Sequence, residues 1–259
     1  MNRLGFIGMG NMAQAIAKGF IDKKVIAGDH VYAYAPHLDK LKANAERIGF
    51  LPVESVTSLV SQCDTIIMAC KPYQIDGVLE DVRDLLVGKA LVSIAAGWDY
   101  ATYEPKLKEG TRVQFIMPNT PAMVGEGVML FEDQNTLEKE EREELMTMFQ
   151  SLGLVLELPS NLMGIGGAIT GCGPAFIDLI IEALGDVGVK YGLKRAEAYA
   201  MASQMILGSA KLQLQTGEHP GVLKDNVCSP GGTTIRGVDA LEHAGIRAAM
   251  IDAVDAIMR

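Results

Sequence analysis

The sequence predicts an α/β fold in its first half, with a doubly wound parallel sheet, followed by an all-helical second half. Three observations predict it. A short strand at the start of the chain leads into a glycine-rich turn, apolar strands then alternate with helical patterns, and no strand pattern follows Pro159. We therefore place one domain at residues 1–159 and a second at residues 160–259.

The first element is a short apolar strand that begins at Leu4 and leads into Gly8-x-Gly10-x-x-Ala13, where a helical pattern starts. Gly8 permits a sharp turn, Gly10 lets the backbone approach a phosphate, and Ala13 lets the helix pack close to the strand. The helix start offers free amides and a partial positive charge to an anion. The segment predicts a dinucleotide site; the alternative is an ordinary glycine-rich turn of another α/β protein.

Further apolar runs are typical of strands buried in a sheet, at residues 31–35, 65–70, 90–96, 112–117, 127–131 and 154–158. A helix is predicted at residues 38–48, and another between the last two strands. For the latter we expect Asn135 or Thr136 as the N-cap, Glu138 near the first turn and Gly153 at its end.

Ligands of such sheets bind outside the carboxyl ends of the strands. Three segments that follow predicted strands are therefore expected to face the cofactor: Lys71-Pro72, Ala95-Ala96-Gly97 and Met117-Pro-Asn-Thr120. Good turn residues alone would give the same pattern, which is the alternative for each segment.

The end of the second strand predicts which nicotinamide cofactor is bound. Enzymes that use NAD usually carry an acid there, and here Asp39 comes several residues too late. His37, Lys40 and Lys42 instead favour a 2′-phosphate. We predict NADPH as the preferred cofactor and NADH as a second one.

Composition excludes several functions. The net charge of −9 leaves no basic surplus for nucleic acid or for an anionic membrane. No signal pattern precedes the first strand, and Pro174 and Asp178 interrupt the most apolar run, so no membrane span is expected. The four cysteines lack paired spacing and the four histidines lack ligand spacing. We expect a cytoplasmic protein with reduced thiols and no metal site.

The second half predicts four helices, at residues 174–190, 195–215, 233–242 and 246–258. These helices are rich in alanine and apolar residues, so they either form a bundle or bury their faces against a second subunit. We favour the second subunit, because the apolar surface exceeds what one layer of helices covers.

A break in this helical half predicts an anion site. Ser229-Pro230-Gly231-Gly232 cannot continue a helix, and a new helix follows at Thr233. The amides of Gly232, Thr233 and Thr234, with the threonine hydroxyls, would suit a carboxylate. The alternative is a simple helix cap formed by Ser229 or Thr233.

The whole chain resembles the pyrroline-5-carboxylate reductase family. The motifs that carry the resemblance include Ala69-Cys-Lys-Pro72, Gly171-Cys-Gly-Pro-Ala175 and Leu223-Lys-Asp-Asn-x-Cys-Ser-Pro-Gly-Gly-Thr-Thr-Ile235. The resemblance implies reduction of a cyclic imine to L-proline by NAD(P)H. It also implies a Rossmann-type domain followed by a helical dimerisation domain, and homodimers that build a higher homo-oligomer such as a decamer.

The resemblance also implies the site residues. Substrate would be held by Gly231, Gly232, Thr233 and Thr234. The cofactor would contact Ile7, Gly8, Met9, Gly10, Asn11, Met12, Ala35, Ala69, Cys70, Lys71, Pro72, Ile94, Ala95, Ala96 and Asn226. Ala35 replaces the serine or threonine common in the family, and His37 is its expected substitute.

The reaction that the resemblance implies needs little acid catalysis, because a protonated imine already accepts hydride. We therefore expect catalysis by orientation, with the Thr234 hydroxyl hydrogen-bonded to the ring nitrogen or to the carboxylate. Lys71 is the weaker candidate, as a general acid.

Two other functions are weighed against this one. A β-hydroxyacid dehydrogenase would carry a lysine followed by an asparagine on its long helix, whereas Lys190 is followed by Tyr191-Gly192-Leu193-Lys194, without the asparagine. A dinucleotide sensor would need an effector module, and the acidic second half offers none.

Overall fold

The computed structural model describes residues 3–259. Its contacts divide the chain into two compact units, the first ending at Gly171 and the second beginning at Cys172. The two units are described separately below, and the boundary predicted at residues 159 and 160 stays a prediction.

The described residues of the first unit form an eight-stranded sheet with the strand order β3-β2-β1-β4-β5-β6-β7-β8. All the predicted strands are present within a few residues, and only the two-residue β3 was not predicted. The strands are β1 (Leu4–Ile7), β2 (Val31–Tyr34), β3 (Leu51–Pro52), β4 (Thr65–Met68), β5 (Ala90–Ser93), β6 (Arg112–Pro118), β7 (Gly127–Asn135) and β8 (Gly153–Leu158).

The sheet departs from the prediction at one pair of strands. Every neighbouring pair from β3 to β6 is parallel, but β7 runs antiparallel to β6 and β8 runs parallel to β7. The connection from β6 to β7 covers only residues 119–126. A parallel crossover needs roughly a dozen residues or more, so this segment can only turn the chain back.

Helices cover both faces of this sheet. Edge-to-face contacts at 5.2 and 5.7 Å join Phe149 to Phe20 and Phe131 on one face, and Leu59, Ile75 and Tyr103 are buried on the other. The helices of the first unit are α1 (Asn11–Asp22), α2 (Leu38–Ile48), α3 (Val56–Gln62), α4 (Ile75–Val82), α5 (Tyr100–Tyr103), α6 (Lys139–Gln150) and α7 (Ser160–Gly167).

The predicted N-cap of α6 is wrong. Glu138 occupies the N-cap position, without a side-chain cap bond. The Thr136 hydroxyl instead accepts a hydrogen bond from the Val113 amide at 2.8 Å, which ties the chain to β6. The Asn135 side chain accepts from the Leu137 amide at 3.1 Å. Both side chains that were expected to cap α6 therefore accept hydrogen bonds from other backbone amides, and neither caps the helix.

Gly153 was predicted to end α6, but it begins β8. Its φ is +143°, and a Cβ there would lie 2.0 Å from the carbonyl oxygen of Gly127. Glycine is required at this position because β7 and β8 approach closely where both strands begin.

The second unit is all helical, as predicted, with one further short helix, α10. Gly185 lies under the Tyr199 ring and Gly188 under Ala198, where a Cβ would stand 2.2 and 2.6 Å from its neighbour. These glycines let α8 and α9 pack closely. The helices are α8 (Gly173–Lys190), α9 (Arg195–Thr216), α10 (Pro220–Val227), α11 (Thr233–His243) and α12 (Ile246–Met258).

The helices of the second unit leave much of their apolar surface uncovered. Within α8 to α12, only Gly185, Ala198 and Ala202 are buried. The exposed apolar side chains include Leu179, Val187, Met201, Met205, Leu207, Leu212, Leu214, Val222, Val227 and Ile251.

Among residues 3–259, one helical run, Ser160–Lys190, has the length and composition of a membrane-spanning helix, and 11% of its most apolar stretch of 18 residues is buried. Pro174 and Asp178 were expected to interrupt this run. The helix nevertheless continues through both, since Pro174 lies in the first turn of α8 after a π-helical turn at Ala168–Cys172. A helix that packs against a second subunit has the same composition.

Candidate active site

A cavity of about 850 Å³ lies at the carboxyl ends of β1, β2, β4 and β5. Small-molecule sites typically measure roughly 300–1,000 Å³. Its lining includes every residue that the family resemblance assigns to the cofactor except Asn226, which lies in α10 of the second unit. The lining residues are Ile7, Gly8, Met9, Gly10, Asn11, Met12, Ala13, Tyr34, Ala35, Pro36, His37, Ala69, Cys70, Lys71, Pro72, Tyr73, Gln74, Val78, Ile94, Ala95, Ala96 and Thr120.

Gly8 makes the sharp turn after β1. Its amide donates to the Tyr34 carbonyl oxygen at 2.8 Å, which holds the turn against the end of β2. Its φ is +96°, and a Cβ there would stand 2.7 to 2.8 Å from backbone atoms of Ala69 and Cys70. Both the backbone conformation and the closeness of the next strand therefore require glycine.

Gly10 is the N-cap of α1, and no side chain caps this helix. A Cβ on Gly10 would have no atom within 4 Å, so it would project into open space. The first turn carries no acidic residue, and Asn11 and Met12 begin the helix with amides that lack intrahelical acceptors. An open glycine, free amides and a positive helix end fit the pyrophosphate of a dinucleotide.

The end of β2 carries one of the three basic groups expected near a 2′-phosphate. His37 is exposed, lines the cavity and is the N-cap residue of α2. Lys40 and Lys42 are exposed and lie outside the cavity lining, and so does Asp39, in the first turn of α2. The cavity therefore meets no carboxylate at this end.

The thiol of Cys70 lies in the cavity wall and is not set up as a nucleophile. Burial raises its pKa to about 11, and burial likewise raises the pKa of Cys63 to about 12. Both stay protonated near neutral pH. All four cysteines are free thiols.

The segment after β6 meets its prediction only in part. Thr120 lines the cavity, but Asn119 is buried and structural. The Asn119 side chain donates to the Thr170 carbonyl oxygen at 2.9 Å and accepts from the Val128 amide at 2.8 Å. Met117 packs under Gly167, where a Cβ would lie 2.1 Å from its sulfur. These two side chains fasten the sheet to the end of α7.

Sequence reasoning missed a group of lining residues beyond the Lys71-Pro72 motif. Tyr73 and Gln74 continue that motif in a short 3₁₀ turn, and Val78 follows in α4. Tyr73 is 83% exposed. Their position in the chain was the signal that could have indicated them. The end of β4 faces the cofactor, and the residues that follow it continue along the cavity wall.

In the second unit, the break between α10 and α11 forms as predicted. Gly231 adopts a left-handed φ of +69°, and Gly232 is the N-cap of α11 without a side-chain cap bond. The alternative of a cap formed by Ser229 or Thr233 is therefore wrong. One detail of the prediction is wrong too, because the Gly232 amide is not free: it donates to the Ser229 carbonyl oxygen at 3.0 Å.

Thr233 and Thr234 remain as the donors of this loop. Both are exposed and lie in the first turn of α11, where the helix supplies no acceptor for their amides. Each also carries a hydroxyl that can donate. The loop can therefore bind a small anion through two threonines rather than three amides.

Two family models match the chain. Residues 160–259 match the model described as pyrroline-5-carboxylate reductase dimerisation. Residues 3–97 match the model described as NADP oxidoreductase, coenzyme F420-dependent.

Individual relatives match over nearly the whole chain. Pyrroline-5-carboxylate reductase of Treponema pallidum (strain Nichols) is 41% identical over 259 residues, which cover 98% of each chain. A crystal structure of the Plasmodium falciparum pyrroline carboxylate reductase with NADP bound is 32% identical, with a TM-score of 0.89 over 98% of this chain and 95% of that one. A Coxiella burnetii pyrroline-5-carboxylate reductase is 30% identical, with a TM-score of 0.90 over 99% and 96%.

Proposed function

The chain belongs to the pyrroline-5-carboxylate reductase family, and we propose how its residues carry out the reduction from which the family takes its name. It reduces 1-pyrroline-5-carboxylate to L-proline by hydride transfer from a nicotinamide cofactor, the last step of proline biosynthesis. The observation that carries this function is the sequence identity of 41% to the pyrroline-5-carboxylate reductase of Treponema pallidum, over 98% of both chains. Membership of this family argues against the two alternative functions, a β-hydroxyacid dehydrogenase and a dinucleotide sensor.

We propose that the first unit binds the cofactor through the cavity at the ends of β1, β2, β4 and β5. The amides of Asn11 and Met12 would hold the pyrophosphate, and the small side chains of Ala95 and Ala96 leave room for a flat ring. The bound nicotinamide supplies the hydride. Asn226 is proposed as a further cofactor contact on the strength of the family resemblance.

The second unit is proposed to bind the substrate through the loop before α11. The amides of Thr233 and Thr234 suit the carboxylate, while Gly231 and Gly232 shape the turn. The Thr234 hydroxyl would bond the ring nitrogen or the carboxylate. The protonated imine accepts hydride without a strong acid, so the residues act mainly by holding the reactants in a productive orientation.

We expect Thr234→Ala to lower kcat/KM for pyrroline-5-carboxylate by about ten- to a hundredfold, which is the loss of one hydrogen bond to a charged group. Steady-state kinetics with NADPH measure this. Thr234→Ser keeps the hydroxyl and should retain most of the activity. An alanine variant with unchanged kcat/KM would show that the hydroxyl has no role.

We propose NADPH as the preferred cofactor and NADH as a second one. The support is the absence of a carboxylate from the end of the cavity that His37 lines. The assay compares kcat/KM for NADPH and NADH with pyrroline-5-carboxylate as the acceptor. We expect a clear advantage for NADPH that decreases in His37→Ala; equal efficiencies in the wild type would refute the preference.

We propose that the chain forms a homodimer through the exposed apolar faces of the second unit, and that dimers assemble further, to a decamer, in the cytoplasm. The support is the match of residues 160–259 to a dimerisation model, together with the exposed apolar side chains of α8 and α9. Native mass spectrometry of the full chain measures the assembly directly.

A further inference from the structure

Two side chains behind the glycine-rich turn connect it to α1 and α2. Gln14, in α1, donates from Nε2 to the Met9 carbonyl oxygen at 2.9 Å. Arg47, near the end of α2, donates from Nη2 to Gln14 Oε1 at 2.6 Å, and the same nitrogen reaches Asn44 Oδ1 at 3.2 Å. The three residues thus form a chain of hydrogen bonds that ends on the turn.

The chemistry of the partners fixes how the Gln14 amide is oriented. A guanidinium only donates, so Arg47 must face the oxygen of Gln14, and the Gln14 NH₂ must face the Met9 carbonyl. That carbonyl shares a planar peptide unit with the amide of Gly10. A hydrogen bond that fixes the direction of the carbonyl therefore also fixes the direction of the Gly10 amide.

The peptide held in this way belongs to the cavity, whereas the residues that hold it do not. Met9 and Gly10 line the cavity, and Gln14 and Arg47 lie outside its lining. The peptide lies between the end of β1 and the start of α1. The Gln14 amide is the donor that the structure gives to the Met9 carbonyl, so the turn depends on it for this orientation.

We propose that Gln14 is a positioning residue for cofactor binding and that Arg47 acts through it. This inference rests on the proposed function, because it takes the cavity to be the NAD(P)H site. The bonds from Arg47 through Gln14 orient the Met9–Gly10 peptide before the cofactor arrives, which lowers the cost of ordering the turn on binding.

A second role for Arg47 is compatible with the same geometry. In this role, its charge acts directly on the 2′-phosphate of NADPH. The two roles predict different results. An effect transmitted through Gln14 disappears when Gln14 is removed and is the same for NADPH and NADH. A direct charge effect persists without Gln14 and is confined to NADPH.

A double-mutant cycle separates the two roles. The dissociation constants of NADPH and NADH are measured by cofactor fluorescence on the full-length wild type, Gln14→Met, Arg47→Met and the double variant. Methionine keeps the length of glutamine and removes its amide. Gln62→Met is the matched control, because Gln62 is a helical glutamine whose Nε2 likewise donates to a carbonyl oxygen, that of Ser58.

We expect Gln14→Met to raise both dissociation constants by about three- to tenfold, the loss of one hydrogen bond. Arg47→Met should raise both by a smaller factor, and the double variant should bind as Gln14→Met does. Gln62→Met should bind as the wild type. The unfolding temperature without cofactor should be similar in all variants, whereas the rise that NADPH produces should shrink in Gln14→Met.

The inference is overturned if Gln14→Met binds both cofactors as the wild type does, or if Arg47→Met weakens NADPH alone in both backgrounds. It is also overturned if the unfolding temperature without cofactor falls while affinity is kept, since the bonds would then serve only stability. A wild type that binds neither cofactor would instead refute the proposed function.

Discussion

Replacing Gly10 with alanine is expected to weaken NADPH binding by about a hundredfold or more while leaving the protein folded. The added Cβ meets no atom within 4 Å, and the φ of −75° suits alanine. The methyl group would occupy the space in which the backbone approaches the pyrophosphate. A loss of roughly 3 kcal/mol there corresponds to this change in affinity. Fluorescence titration and thermal unfolding of the same sample measure the two effects.

The matched control for this variant is Gly77→Ala. Gly77 lies in α4, and a Cβ there also meets nothing within 4 Å. Alanine in a helix should leave the affinity unchanged and stabilise the fold by up to about 1 kcal/mol. If Gly10→Ala bound NADPH with wild-type affinity, the phosphates would not pass over Gly10 and the proposed cofactor site would be in the wrong place.

Gly8→Ala is expected to act on the fold itself, lowering the free energy of unfolding by about 2–5 kcal/mol. A left-handed φ costs an alanine roughly 1–2 kcal/mol, and crowding in a packed interior costs about 1–3 kcal/mol more. Here the crowding is against backbone atoms of Ala69 and Cys70 at 2.7 to 2.8 Å, which no side-chain rotation can relieve. Denaturant unfolding without cofactor measures the loss.

Gly49→Ala separates the two contributions. Gly49 has a φ of +98°, close to the +96° of Gly8, but a Cβ there meets nothing within 4 Å. It ends α2 as a left-handed C-cap, so its substitution should cost only the backbone term of about 1–2 kcal/mol. Equal losses of unfolding free energy in Gly8→Ala and Gly49→Ala would mean that the ends of β1 and β4 move apart enough to accommodate a methyl group. Crowding would then contribute nothing.

Much of the cofactor cavity could be predicted from the sequence. Gly8 and Gly10 are recognised by spacing, and Lys71-Pro72 and Ala95-Ala96 lie at the ends of apolar runs that meet at one edge of a parallel sheet. Ala69, Cys70 and Ile94 were assigned through the family resemblance. Such signals are local, because a few adjacent residues carry both the strand and its end.

Other parts of the site could not be predicted in this way. Tyr73 and Val78 line the cavity without any motif, because only the path of the chain after β4 brings them there. Asn119 has the type and position of a ligand-binding residue, but its hydrogen bonds to residues 128 and 170 use its side chain for structure. No pattern within a segment reports a partner that lies many residues away.

The sequence by itself determined the alternation of strands and helices, the place of the phosphate turn, the helical second half and the loop before α11. Each of these depends on residues that are neighbours along the chain. Only the tertiary structure decided that β7 turns back against β6, that Gly153 must let β8 approach β7, and that Gln14 and Arg47 meet behind Met9. Those features arise from contacts between distant segments, where packing and hydrogen-bond geometry act rather than local preference.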